Sequence, residues 1–122
     1  MWLRDRGEGW GRPVLEAMAL GLPAIATAWS GPAAFVDEAV GWPLGFRVVP
    51  VPPEAVAEVP AYAGHRWAEP DVGDLTRALR DAHERPAARR ARGAAAGERA
   101  GAFDPRRVAA LALARLAAVV PA

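Results

Sequence analysis

Two carboxylates stand eight positions apart in Gly7-Glu8-Gly9-Trp10-Gly11-Arg12-Pro13-Val14-Leu15-Glu16, where a glycine-rich stretch runs into a predicted helix. Glycines at 7, 9 and 11 let successive backbone N–H groups converge without side chains in the way. The helix start that follows favours an anion through its exposed amides and its dipole. A phosphate fits that position. Glu8 at the loop tip is an acceptor for sugar hydroxyls, and Glu16, about one turn into the helix, is an acceptor for a ribose diol. Two acceptors flanking an anion site suit a nucleotide sugar. Many loops with this glycine pattern bind no phosphate, so a tight turn with a solvated or helix-capping glutamate is the competing reading of these residues.

The elements that must position this pair follow from spacing and from Gly and Pro. Pro13 suits the first helical position because its φ is already helical and its missing N–H has no partner there. Val14, Leu15, Met18, Ala19 and Leu22 recur on one helical face and Gly21 is placed to end it, which predicts a helix over residues 13–20. Residues 23–28 form a short apolar run, read as a buried parallel strand. Ser30 is placed to cap a short helix over 32–38 that Gly41 ends, while Gly31 lets the backbone approach a ligand or another loop. Residues 45–51 have the β-branched content of a further strand, and the prolines at 50, 52, 53 and 60 make residues 52–70 an irregular surface excursion. Leu75, Ala78, Leu79 and Ala82 predict a helix with Asp71 or Val72 near its start that stops at Pro86. An Ala/Arg-rich amphipathic stretch runs over 86–102, and Asp104 caps a last helix from Pro105. Two strands among four or five helices make a marginal sheet. The chain therefore reads as part of an α/β domain whose open strand edges favour marginal stability and self-association.

A length of 122 residues, 52% of them hydrophobic, bounds the chain at one domain with a modest core. Its 15 basic residues, all arginine, against 14 acidic ones give a net charge of +1, which implies no polyanionic partner. Cysteine is absent, so disulfides, zinc–thiolate sites and cysteine nucleophiles are excluded. The start lacks the apolar run of a signal peptide, and the longest apolar stretch, residues 108–122, is broken by Arg115 and too short to span a bilayer. A cytoplasmic protein with no transmembrane segment is expected.

Residues 8–27, Glu-Gly-Trp-Gly-x-Pro-Val-Leu-Glu-Ala-Met-Ala-x-Gly-x-Pro-x-Ile-Ala-Thr, resemble the Glu-x7-Glu region of group 1, family 4 type glycosyltransferases of the GT-B fold. The resemblance continues through Trp29-Ser30-Gly31-Pro32, through residues 64–71 and through Phe103-Asp104-Pro105. It implies a partial Rossmann-like layer, the C-terminal portion of a nucleotide-sugar-binding domain over residues 1–102. Residues 103–122 would be a C-terminal helix that crosses toward an N-terminal acceptor-binding domain. By resemblance Glu8 contacts the donor sugar and is the catalytic candidate, Glu16 contacts the ribose, and the Gly9, Trp10 and Gly11 backbone receives the diphosphate, with Gly31 shaping the nearby wall. The reaction implied is metal-independent glycosyl transfer with retention, with no cofactor beyond the nucleotide-sugar substrate. The family's phosphate-clamping cations and its acceptor domain would precede Met1, so a fragment inactive alone is expected. Arg12 stands where the family is usually apolar and is a possible phosphate contact, and Ala34 stands where many relatives carry a carboxylate. The alternative is a non-catalytic interaction module, or a subunit completing a separately encoded N-terminal half.

Other residues read more plainly. The arginines from 85 to 107 are diluted by Glu84, Glu98 and Asp104 and accompanied only by Phe103, which favours a solvated helix face over a nucleic-acid patch. His65 and His83 have no third ligand at usable spacing, so no metal site is expected. Trp29, Trp42 and Trp67 are assigned to packing. For Trp10, beside Glu8, packing and stacking on a sugar face are equally good readings.

Overall fold

The computed structural model describes the backbone of residues 2 and 3 and residues 9–119. Glu8 and Gly7 lie outside the described residues. The order of elements is β1 (Trp2–Leu3), α1 (Arg12–Ala19), β2 (Ala24–Thr27), β3 (Gly41–Leu44), β4 (Phe46–Pro50), α2 (Pro53–Glu58), β5 (Arg66–Pro70), α3 (Val72–Glu84), α4 (Pro86–Ala100) and α5 (Pro105–Val119). Short 3₁₀ turns cover Gly31–Ala34, Pro60–Tyr62 and Gly101–Phe103.

β1, β2 and β3 form a parallel sheet in that order, with Ile25 opposite Trp2 and Trp42, and Thr27 opposite Leu44. All four residues of β2 are buried, as a strand covered on both faces requires. Their alternation divides the core. Ala24 and Ala26 pack with Val14 and Met18 of α1, Ala96 and Ala100 of α4, and Phe35, Val36 and Val40. On the opposite face Ile25 packs with Trp42, Leu44 and Ala78 of α3. The chain is thus a mixed α/β protein with a Rossmann-like parallel layer between helices. Fully burying a side chain such as Val14, Met18 or Phe35 contributes about 1.5–3 kcal/mol.

α1 ends as its sequence predicts: the Gly21 N–H bonds the Met18 carbonyl at 2.8 Å and the Leu22 N–H reaches back to Ala17 at 3.1 Å, the bond pair of a Schellman motif. Asp71 caps α3 by accepting from the Asp74 N–H, and Asp104 caps α5 by accepting from the Arg106 N–H. Three expectations are corrected. Gly41 does not end a helix; it opens β3, where a Cβ would lie 2.2 Å from the Ala24 carbonyl oxygen and where Pro43 is tolerated because β3 is an edge strand. The stretch after Ser30 is a 3₁₀ turn over Gly31–Ala34 with no side-chain cap from Ser30, not a helix over 32–38. Residues 52–70 are not irregular, since they hold α2 and β5. The strand expected at 45–51 is present as β4, which pairs antiparallel with β5, Val49 opposite Trp67.

Arginines fasten the helices. Arg92 lies over the Trp42 ring at 4.4 Å, donates to the Glu38 carbonyl at 3.0 Å and meets the Asp81 carboxylate at 3.3 Å. Asp81 also accepts from the Trp42 indole N–H at 2.9 Å and pairs with Arg85 at 2.9 Å. The Trp42 N–H is the main reason that Asp81 titrates below the ordinary 3.8; Arg85 and Arg92 add to it and partial desolvation opposes it. A folded-state pKa below the unfolded one gives stability that is present above the unfolded value and is lost as pH falls through the folded one. Urea midpoints should therefore fall below pH about 4, and Asp81→Asn, which cannot titrate, should show a shallower acid dependence than the wild type.

Candidate functional site

Because β1, β2 and β3 are parallel, their carboxyl ends lie on one side, where open α/β sheets hold ligands. The segment entering α1 and the segment leaving β2 meet there. Their contact is between backbones: a Cβ on Gly31 would lie 2.3 Å from the Trp10 Cα and 2.4 Å from the Trp10 carbonyl oxygen. Only glycine allows that approach. Gly31 therefore brings its backbone close to another loop, one of the two roles its sequence position suggested. Ser30 just before it has φ 54°, the only positive φ outside glycine among the described residues, a conformation that the surrounding packing must hold.

Gly11 caps α1 in the left-handed conformation, φ 88°, with Pro32 and Phe35 against its α-carbon. Its carbonyl accepts both the Val14 N–H at 3.0 Å and the Leu15 N–H at 3.1 Å. Pro13 has no N–H, so the amide of that turn left uncommitted by these bonds is that of Arg12. Gly9 is not required by packing, since a Cβ there would meet nothing within 4 Å.

Trp10 is both packed and exposed. Its ring meets Phe35 at 5.7 Å and Phe103 at 5.6 Å, while Phe35 and Phe103 meet at 5.8 Å, all tilted or edge to face. Even so, 42% of its surface stays open. Arg12 and Glu16 lie on the exposed side of α1 and pair at 3.4 Å with side chains 80% and 67% exposed. Such a pair is weak: it is solvated, its cation sits at the positive end of the helix, and the arginine precedes the glutamate. Both groups can therefore be recruited by a ligand at little cost. Trp10, Arg12, Leu15, Glu16, Phe103 and Asp104 line one cavity of about 530 Å³. Phe35 and Phe103 complete the indole's setting and carry no motif of their own; the only signal was Phe103 within Phe-Asp-Pro. At the end of β2, the Thr27 hydroxyl is buried with no hydrogen-bond partner among the described residues.

Among the described residues, no group of three or more His, Cys, Asp or Glu is placed to hold a metal ion, and no helix is long and apolar enough to cross a membrane. Arg85, Arg89, Arg92 and Arg99 bond within the chain. Gly31→Ala should push the Trp10 backbone aside, moving its fluorescence maximum and lowering stability by about 1–3 kcal/mol in urea unfolding.

No curated protein and no solved structure matches the chain. The family model of glycosyl transferases group 1 matches residues 2–63, half of the chain, and so covers Glu8, the loop at 9–11, Arg12, Glu16 and Gly31. The chain belongs to the group 1 glycosyltransferases.

Proposed function

We propose that this chain takes part in retaining glycosyl transfer from a nucleotide-sugar donor and supplies the sugar and ribose ends of the donor site. In this reading Glu8 orients the donor sugar at the reacting centre. The Glu16 carboxylate accepts from the ribose diol. The backbone of Gly9, Trp10 and Gly11 and the Arg12 amide meet the diphosphate, with the dipole of α1 behind them. The leaving nucleoside diphosphate is stabilised by these groups without a metal ion. Residues 1–102 form the donor-binding part, and residues 103–122 cross toward an acceptor-binding domain or subunit.

The observation that carries the reading is the state of Glu16. It lies inside the matched region, open to solvent on the cavity that Trp10 and Arg12 share, and among the described residues its ion pair is the loose one to Arg12. A diol that takes the carboxylate releases the guanidinium one turn toward the helix start, on the side where a phosphate is favoured. The pair is then exchanged for two ligand contacts. The second reading, a non-catalytic interaction module or a subunit completing a separately encoded half, is favoured by α5, whose apolar side chains, from Val108 at 47% to Val119 at 73%, remain exposed.

Isothermal titration with UDP-, GDP- and dTDP-sugars tests the first reading. Glu16→Ala should weaken binding of the preferred donor by roughly tenfold or more, since it removes hydrogen bonds to a charged acceptor. Glu16→Gln, which keeps one acceptor oxygen without the charge, should fall between. Binding unchanged in Glu16→Ala makes the ribose assignment wrong.

A further inference from the structure

The ring cluster ties the segment entering α1 to a part of the chain beyond the family match. Phe35 is only 1% exposed and belongs to the core that contains Val14, Met18 and Ala100. Trp10 closes the glycine-rich segment one residue before the cap of α1, and its backbone is pressed against Gly31. Phe103 comes from the 3₁₀ turn between α4 and α5 and makes edge-to-face contacts with both other rings. Trp10 therefore has its backbone held against Gly31, while its indole meets a fixed ring at Phe35 and a second ring at Phe103 delivered from the far end of the sequence. Trp10 and Phe103 line the same cavity as Arg12 and Glu16.

We propose that Phe103 is a positioning residue for the donor loop: by holding the Trp10 indole against Phe35, it sets where the Gly9–Gly11 backbone presents itself beside Glu16. The contact needs a ring. Edge-to-face pairing places the positive edge of one ring on the negative face of the next and so fixes the angle between them, which an aliphatic side chain of similar bulk does not do. The consequence for ligand binding rests on the donor reading of the site given above. The hold on Trp10 itself does not.

The two are separated by labelling the full chain with 5-fluorotryptophan, assigning the Trp10 ¹⁹F resonance with Trp10→Phe, and titrating UDP-glucose, GDP-mannose and dTDP-glucose. Phe103→Leu is expected to shift the Trp10 resonance and to weaken the donor that the wild type binds by roughly tenfold. Phe103→Tyr, which keeps the ring, should match the wild type in both readouts. Ile25→Val, which removes a methyl group on the opposite face of the sheet, should lower the melting midpoint and leave the Trp10 resonance in place. A Trp10 resonance unmoved in Phe103→Leu overturns the proposal, as does undiminished donor affinity in that variant. If the resonance moves and none of the three nucleotide sugars binds the wild type, the donor reading falls and the hold of Phe103 on the loop stands.

Discussion

The backbone of Gly31 touches the backbone of Trp10, and the geometry of the carboxyl edge follows from that contact. Two loops leaving parallel strands would normally be kept apart by side chains. Here one glycine lets them close, and Gly11 next door turns left-handed under Pro32 and Phe35 to start α1. The start of α1 is thus fixed by its neighbours rather than by a side-chain cap. Val14 and Met18 then carry its buried face to Ala24 and Ala26, which leaves Arg12 and Glu16 on the outside, one turn apart. Exposure of the second glutamate is a consequence of packing the first turn.

What could be read from the sequence was what it writes locally. The periodicity from Val14 to Leu22, the helix end at Gly21, the apolar run of β2 and the aspartate cap of α5 each need only a few adjacent residues, and each appears where expected, with boundaries shifted by a residue. Pairing was harder to read. β3 has four residues with a proline among them, and only its place at the edge beside β2 makes it a strand. β5 was obscured by Pro60, Gly64 and Pro70, yet it is defined by its partner β4. The candidate site divides the same way. Trp10, Arg12, Glu16 and Gly31 come from one contiguous stretch and are brought together, whereas Phe35 and Phe103 reach Trp10 only through the tertiary fold.

α4 shows how a helix with few large apolar residues is held. Gly93, Ala96 and Ala100 are buried, and their small size lets α4 lie close to α1 and β2. Arginines supply the orientation that bulk does not: Arg99 reaches Asp37 at 3.0 Å, and Arg92 is held by Trp42, Glu38 and Asp81. Arg99 is the main reason that Asp37 stays below its ordinary pKa once partial desolvation, the largest effect and of opposite sign, is overcome. Arg92 and Arg99 thus serve internal geometry, holding α4 against the segment from Phe35 to Trp42.

The 15 residues of α5 extend about 22 Å from the turn that carries Phe103, and none of its side chains is buried. Leu111, Leu113 and Leu116 along that length stay in contact with water. Whatever surface lies against them releases that water, so covering α5 is favoured by entropy near room temperature rather than by any directed bond.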